Sequence, residues 1–365
     1  MTRQITEAID QSLSKAGLMR PGEPRHDDAS IIEGTAREVK ASIEIPARAR
    51  AANDAVVAAP TTSPQAERAR PGTFATASFA CAAGTRAYKV YLPACHADAG
   101  GAPMPLVVML HGCTQSPEDF AAGTRMNALA DQHGFVVVYP AQCQNANASK
   151  CWNWFRAEDQ ARDRGEPALV AGIAREVAAN YRLDERRIFV AGMSAGAAMA
   201  VVLGATYPDL FAAVGAHSGL PYAVAHDVPS AFGAMQGRAG KAAAATPLVP
   251  TIVFHGDADT TVQASNGKTI VRQAVRAHPE ASALRSEAQV GVAAGGTTYE
   301  RTIWRDADDR IVAEHWALHG TAHAWSGGSA AGSYTDARGP DASAEMVRFF
   351  LSQGAIVPRD QRPRV

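Results

Sequence analysis

The stretch Gly192-Met193-Ser194-Ala195-Gly196 constrains this chain more than any other, because very few backbones can accommodate it. Before it, Ile188 to Ala191 has the length and β-branched content of a buried strand; after it, Ala195 to Leu203 is a run of small, strong helix formers. A strand that turns straight into a helix holds its middle residue in a strained turn. A Cβ two residues away on either side would strike the neighbouring strand or helix, which accounts for both glycines of the G-x-S-x-G pattern. Ser194 is thereby left exposed at the apex, over a helix N-terminus.

A serine hydroxyl is a poor nucleophile until a base takes its proton, and that base must be oriented by a third group. On this type of turn the partners follow in the order Ser, Asp, His, on loops after later strands. Two loops qualify: His255-Gly256-Asp257-Ala258-Asp259-Thr260-Thr261-Val262, and His319-Gly320-Thr321-Ala322-His323-Ala324-Trp325-Ser326. Asp259 is favoured over Asp257 because two more loop residues let its carboxylate turn back, while Asp257 can serve as a turn-forming carboxylate. His323 is favoured over His315, inside an apolar strand, and His319, at its end. A tetrahedral intermediate needs two backbone N–H donors, one after the nucleophile and one after the third strand, here Ala195 and Cys113. The Cys113 thiol is not expected to react, and His111 reads as a structural partner of its loop.

The rest of the chain supplies a frame for these loops. Apolar runs at Pro105–Gly112, Phe135–Pro140, Ala212–Ala216, Pro250–His255 and Ile311–Leu318 alternate with helical patterns at Pro167–Tyr181, Ser265–Ala277 and Asp341–Leu351. Two further strands, Thr73–Ala80 and Arg86–Pro93, meet at a turn at Ala83-Gly84. Alternation of this kind means a mostly parallel sheet with helices on both faces, in the order of an α/β-hydrolase. The catalytic domain is expected over 73–357, followed by a tail at 358–365. Ahead of it, residues 1–72 read as an amphipathic helix (Ile5, Ile9, Leu13, Leu18) and a linker rich in Ala, Pro and Arg. That helix is available to a partner, a polymer granule or its own domain.

Composition excludes several functions. A formal net charge of −1 without a basic stripe gives no footprint for nucleic acid. No apolar run reaches the roughly 18 residues of a membrane span. Met1 to Met19 carries neither an apolar core nor a small-residue cleavage site, so a cytoplasmic location is expected, with secretion as the alternative. The five cysteines form no C-x-x-C pair and the histidines no H-E-x-x-H, so neither metal nor cofactor is expected.

Leu110-His111-Gly112-Cys113-Thr114-Gln115, Cys151-Trp152-Asn153-Trp154-Phe155, Ala191-Gly192-Met193-Ser194-Ala195-Gly196 and His323-Ala324-Trp325-Ser326-Gly327-Gly328 together resemble the polyhydroxybutyrate depolymerase family of esterases, over about residues 73 to 355. The resemblance implies ester hydrolysis, of poly(3-hydroxyalkanoates) in some members and of feruloyl, acetylxylan or small synthetic esters in related ones. It puts the triad on Ser194, Asp259 and His323. Tyr139, Trp152, Trp154 and Trp325 are the candidate substrate wall, with buried packing as the alternative for each. In an oxidising compartment Cys151 is available to bridge to Cys113 or to Cys143; in a cytosol all five cysteines stay thiols. Between Ser218 and Pro250, an Ala-, Gly- and Pro-rich insertion offers a lid or wall.

Overall fold

The computed structural model describes residues 72–96, 103–238 and 249–353. The expected N-terminal helix, the linker up to residue 71 and the tail at 358–365 lie outside the described residues.

Five consecutive strands are buried over their whole length, as their unbroken apolar runs require: β3 (Leu106–Leu110), β4 (Val136–Pro140), β5 (Ile188–Met193), β6 (Ala213–His217) and β7 (Thr251–Gly256). They pair in parallel with one another, and β10 (Ile311–Leu318) joins β7 in parallel. A hairpin of β1 (Thr73–Cys81) and β2 (Gly84–Leu92) adds antiparallel to β4, turning at Gly84, whose φ is 123°. At the other end, β9 (Thr298–Arg305) and β8 (Arg285–Val292) extend the sheet antiparallel from β10. The resulting ten strands run in the order β1-β2-β4-β3-β5-β6-β7-β10-β9-β8.

Strand parity sorts the core into two layers. In β3, Leu106, Val108 and Leu110 point into the layer filled by helices α3 (Gly165–Asn180), α4 (Ala195–Thr206) and α6 (Ser265–Ala277). Val107 and Met109 point the other way, toward α1 (Pro117–Thr124), α2 (Met126–His133) and α7 (Ala342–Ser352). The mostly parallel sheet with helices on both faces follows directly from the alternation of apolar runs and helical patterns.

Two features escape a reading based on apolar runs. Strand β8 is exposed at seven of its eight residues, so it carries almost no hydrophobic signal. The insertion after Ser218 contains a short helix, α5 (Val228–Met235). It starts where Asp227 Oδ1 accepts from the Ser230 N–H at 2.8 Å, with a proline in its first turn. Residues 239–248 of the insertion lie outside the described residues.

Candidate active site

Ser194 sits between β5 and α4 with φ 55° and ψ −121°, a conformation that side-chain-bearing residues rarely hold. The turn is possible because of its flanking glycines. A Cβ on Gly196 would lie 2.1 Å from the Leu110 carbonyl oxygen, and one on Gly192 would lie 2.5 Å from the Gly196 backbone. The Ser194 N–H continues the sheet by donating to the His217 carbonyl at 2.9 Å. Ala195 opens the helix, so its N–H has no intrahelical acceptor.

The loop after β3 approaches the same point: a Cβ on Gly112 would come within 3.7 Å of the Ser194 Cβ. Its fold is set by side chains. His111 Nδ1 donates to the Gly112 carbonyl at 2.7 Å, and its Nε2 accepts from the Gln142 N–H at 3.1 Å. Burial lowers the His111 pKa to about 4, so the ring is neutral and serves the loop, as expected. Gln115 Oε1 accepts from the Gly112 N–H at 2.9 Å. The Cys113 N–H donates to no acceptor among the described residues, and Cys113 is bonded through sulfur to Cys151.

Asp259 and His323 come from the loops after β7 and β10. His323 Nδ1 donates to Asp259 Oδ2 at 2.7 Å, and both side chains are buried. The other carboxylate oxygen accepts from the N–H groups of Thr261 (2.9 Å) and Val262 (2.8 Å). Burial alone would raise this carboxyl. The His323 charge and the hydrogen bonds from His255 and His323 outweigh it and hold Asp259 far below the ordinary carboxylate range. With the proton on Nδ1, the Nε2 of His323 keeps a free lone pair. Asp257 goes elsewhere: its carboxylate accepts from His319 Nδ1 (2.9 Å) and the Gly320 N–H (2.7 Å) in a half-exposed clamp between the two loops.

Ser194, His323, Cys113 and Ala195 line one pocket with about 770 Å³ of empty space, its open mouth included. Of the four expected wall residues, only Trp154 lines it. Tyr139 and Trp325 are buried in the layer on the other face of the sheet, where Tyr139 donates to Asn127 Oδ1 (2.8 Å) and Trp325 to Ser343 Oγ (3.0 Å). Trp152 turns inward beneath the loop after β3, its indole N–H donating to the His111 carbonyl at 3.1 Å. For these three, the packing alternative holds, because both faces of the sheet are covered. The wall contains instead Phe155, Leu220 and, on α5, Val228, Ala231, Phe232 and Met235. The spacing of those four in sequence is itself that of one helix face.

Beneath the aromatic loop, Glu166 is buried and accepts from the Asn153 N–H (2.7 Å), from Asn153 Nδ2 (2.8 Å) and from Gln142. Burial pushes its carboxyl up, and pushes the neighbouring Asp159 up to about 7 with help from the Glu166 charge. Among the described residues, no three His, Cys, Asp or Glu side chains converge where a metal ion could be held, and no helix is long and apolar enough to cross a membrane.

A sequence model of the family described as esterase PHB depolymerase matches residues 86–289. Poly(3-hydroxyalkanoate) depolymerase C of Paucimonas lemoignei is 33% identical over 232 residues, covering 60% of this chain and 54% of that protein. Poly(3-hydroxybutyrate) depolymerase of Ralstonia pickettii is 28% identical over 265 residues, covering 66% and 51%. The chain thus spans about half the length of these curated relatives. Among solved structures, the acetyl xylan esterase from Aspergillus awamori superposes with a TM-score of 0.59 at 19% identity, over 76% of this chain and 99% of that one, which shows a shared fold. With the family match extending over more than half of the chain, on an α/β-hydrolase fold, this protein belongs to the esterase PHB depolymerase family.

Proposed function

We propose that this protein is a serine carboxylesterase that hydrolyses hydroxyalkanoate esters, as polymer or oligomers, through an acyl-enzyme on Ser194. The observation that carries this reading is the buried 2.7 Å contact of His323 Nδ1 with an ionised Asp259, in a histidine that lines one pocket with Ser194. In this mechanism His323 Nε2 takes the Ser194 proton as Oγ attacks the ester carbonyl. The imidazolium is stabilised by Asp259, and the oxyanion is met by the N–H groups of Cys113 and Ala195. Collapse of the tetrahedral intermediate expels the alcohol, which receives the proton from His323. A water, deprotonated by the same nitrogen, then attacks the acyl carbonyl, and collapse of this second intermediate releases the acid as Ser194 Oγ takes the proton back from His323. The names of the two depolymerase relatives support the substrate class.

The expected catalytic unit is 73–357. The Cys113–Cys151 bridge supports an oxidising compartment, the second of the two locations considered from the sequence. The test is a hydrolysis panel of p-nitrophenyl butyrate, polyhydroxybutyrate, hydroxybutyrate oligomers, methyl ferulate and acetylated xylan, with Ser194→Ala as control. The variant is expected to lose hydrolysis and labelling by a fluorophosphonate. Full activity in Ser194→Ala would overturn the assignment, and turnover of ferulate or acetylxylan alone would replace the substrate class.

A further inference from the structure

We infer that the pocket beside Ser194 is built for an uncharged, apolar chain longer than butyryl, received by α5 together with Leu220 and Val262; this rests on the reading of Ser194 as the nucleophile. The first support is charge. Among the described residues, no Asp, Glu, Lys or Arg lines the pocket, so none of them compensates a charged substrate group, and desolvating such a group would be strongly unfavourable.

The second support is the state of the polar groups. Both side-chain amides on the wall are occupied by the protein itself. Gln115 Oε1 holds the Gly112 N–H, while its Nε2 donates to Asp119 Oδ2 at 2.9 Å and to Ser333 at 3.2 Å. Asn147 Oδ1 accepts from the Ser149 and Cys151 N–H groups, and its Nδ2 donates to Asn153 at 3.1 Å. Among the described residues of this wall only the Thr261 hydroxyl is buried without a partner, so a sugar with many hydroxyls finds no free amide and would leave most of those hydroxyls without the partners they had in water.

The third support is α5. Val228, Ala231, Phe232 and Met235 occupy positions i, i+3, i+4 and i+7, the apolar stripe that a surface helix normally buries in the core. Here Ala231 is buried in the core and Val228 and Met235 pack against it, yet all four also line the pocket, and Val228, Phe232 and Met235 stay only half-buried. The helix is nonetheless fixed in place. Its end is tied down by the Gln263 N–H donating to the Met235 carbonyl at 2.8 Å and by Asn266 Nδ2 donating to the Ala234 carbonyl at 2.9 Å. A held wall with unburied apolar surface beside a nucleophile gains free energy when a hydrocarbon chain covers it. Among hydroxyalkanoates, this selects those with side chains longer than the methyl of hydroxybutyrate.

The experiment is a kcat/KM series on the full chain with p-nitrophenyl acetate, butyrate, hexanoate, octanoate and a hemisuccinate of butyrate length. Burial of each added methylene is expected to raise kcat/KM by about fourfold from butyrate to octanoate, with the hemisuccinate at least about tenfold below butyrate. Ala231→Phe, which fills the stripe, and Phe232→Ala, which widens it, are expected to shift the octanoate-to-butyrate ratio, the first downward by about tenfold or more. A ratio that falls from butyrate to octanoate in the unaltered protein, or equal use of the hemisuccinate, would overturn this inference while leaving the esterase reading intact. Absence of hydrolysis and of fluorophosphonate labelling across the series would instead overturn the esterase reading, and this inference with it.

Discussion

Removing the Cys113–Cys151 bridge tests how the loop after β3, with its proposed oxyanion donor, is held. The bridge closes a sequence separation of 38 residues, for which the chain-entropy relation gives about 13 cal/mol/K, or about 4 kcal/mol at 25 °C. In the double variant Cys113→Ala/Cys151→Ala, two connections between the same segments remain: the Thr114 N–H to the Ser149 carbonyl at 2.7 Å and the Trp152 indole to the His111 carbonyl at 3.1 Å. Folding is therefore expected to survive, with the thermal midpoint lower by about 10 °C. Losing an oxyanion donor outright costs about 10²–10³ in kcat, so loosening the Cys113 N–H without removing it is expected to cost about tenfold. The assay combines thermal and urea unfolding followed by circular dichroism with p-nitrophenyl ester kinetics at 20 °C, on variant and parent, with and without a phosphine reductant. Reductant should bring the parent to the level of the variant and leave the variant unchanged. A variant that melts within about 2 °C of the parent, against the shift expected from loop entropy, would refute the reasoning.

Two further predictions concern carboxylates. Asp259→Asn is expected to lower kcat by up to about 10⁴-fold, by analogy with a protease triad, because the amide no longer orients and stabilises the imidazolium. Asp257→Asn, which alters only a half-exposed pair, should cost less than about tenfold; steady-state kinetics showing equal effects would remove the distinction. The second prediction rests on pH. Burial, then the Glu166 charge, raises the Asp159 pKa from 3.8 to about 7. The folded state therefore binds more protons between those values, and this group makes stability rise as pH falls through that window. Asp159→Asn should flatten the difference in urea midpoint between pH 5 and pH 8, and an unchanged difference would count against it. Asp259 acts with the opposite sign: its depressed pKa contributes stability above the ordinary carboxyl range that is lost as pH falls below it.

Much of the site is legible along the chain because its parts are local. Gly192, Ser194 and Gly196 lie within one turn, and a Cβ on either glycine would meet the end of the adjoining strand, with His111 just after it, or the helix that follows. Asp259 and His323 lie on loops that follow apolar strands, and strands in a parallel sheet deliver those loops to one edge. The aromatic residues are less legible. Tyr139 and Trp154 both lie on or after β4, yet one is locked in the α1–α2–α7 layer and the other faces the pocket. Strand parity and the path of an irregular loop decide that, and neither is encoded in residue type.

By itself, then, the sequence determines the strand-to-helix turn at Ser194, the later loops that carry Asp259 and His323, and a parallel sheet covered on both faces, since each follows from short-range sterics or the period of apolar residues. The tertiary structure decides that Cys151 meets Cys113 and leaves Cys143 a free thiol. It also commits Asp257 to a clamp with His319 and makes α5 a pocket wall. Those outcomes depend on distances between segments far apart in the chain, which only the assembled sheet and its packed helices set.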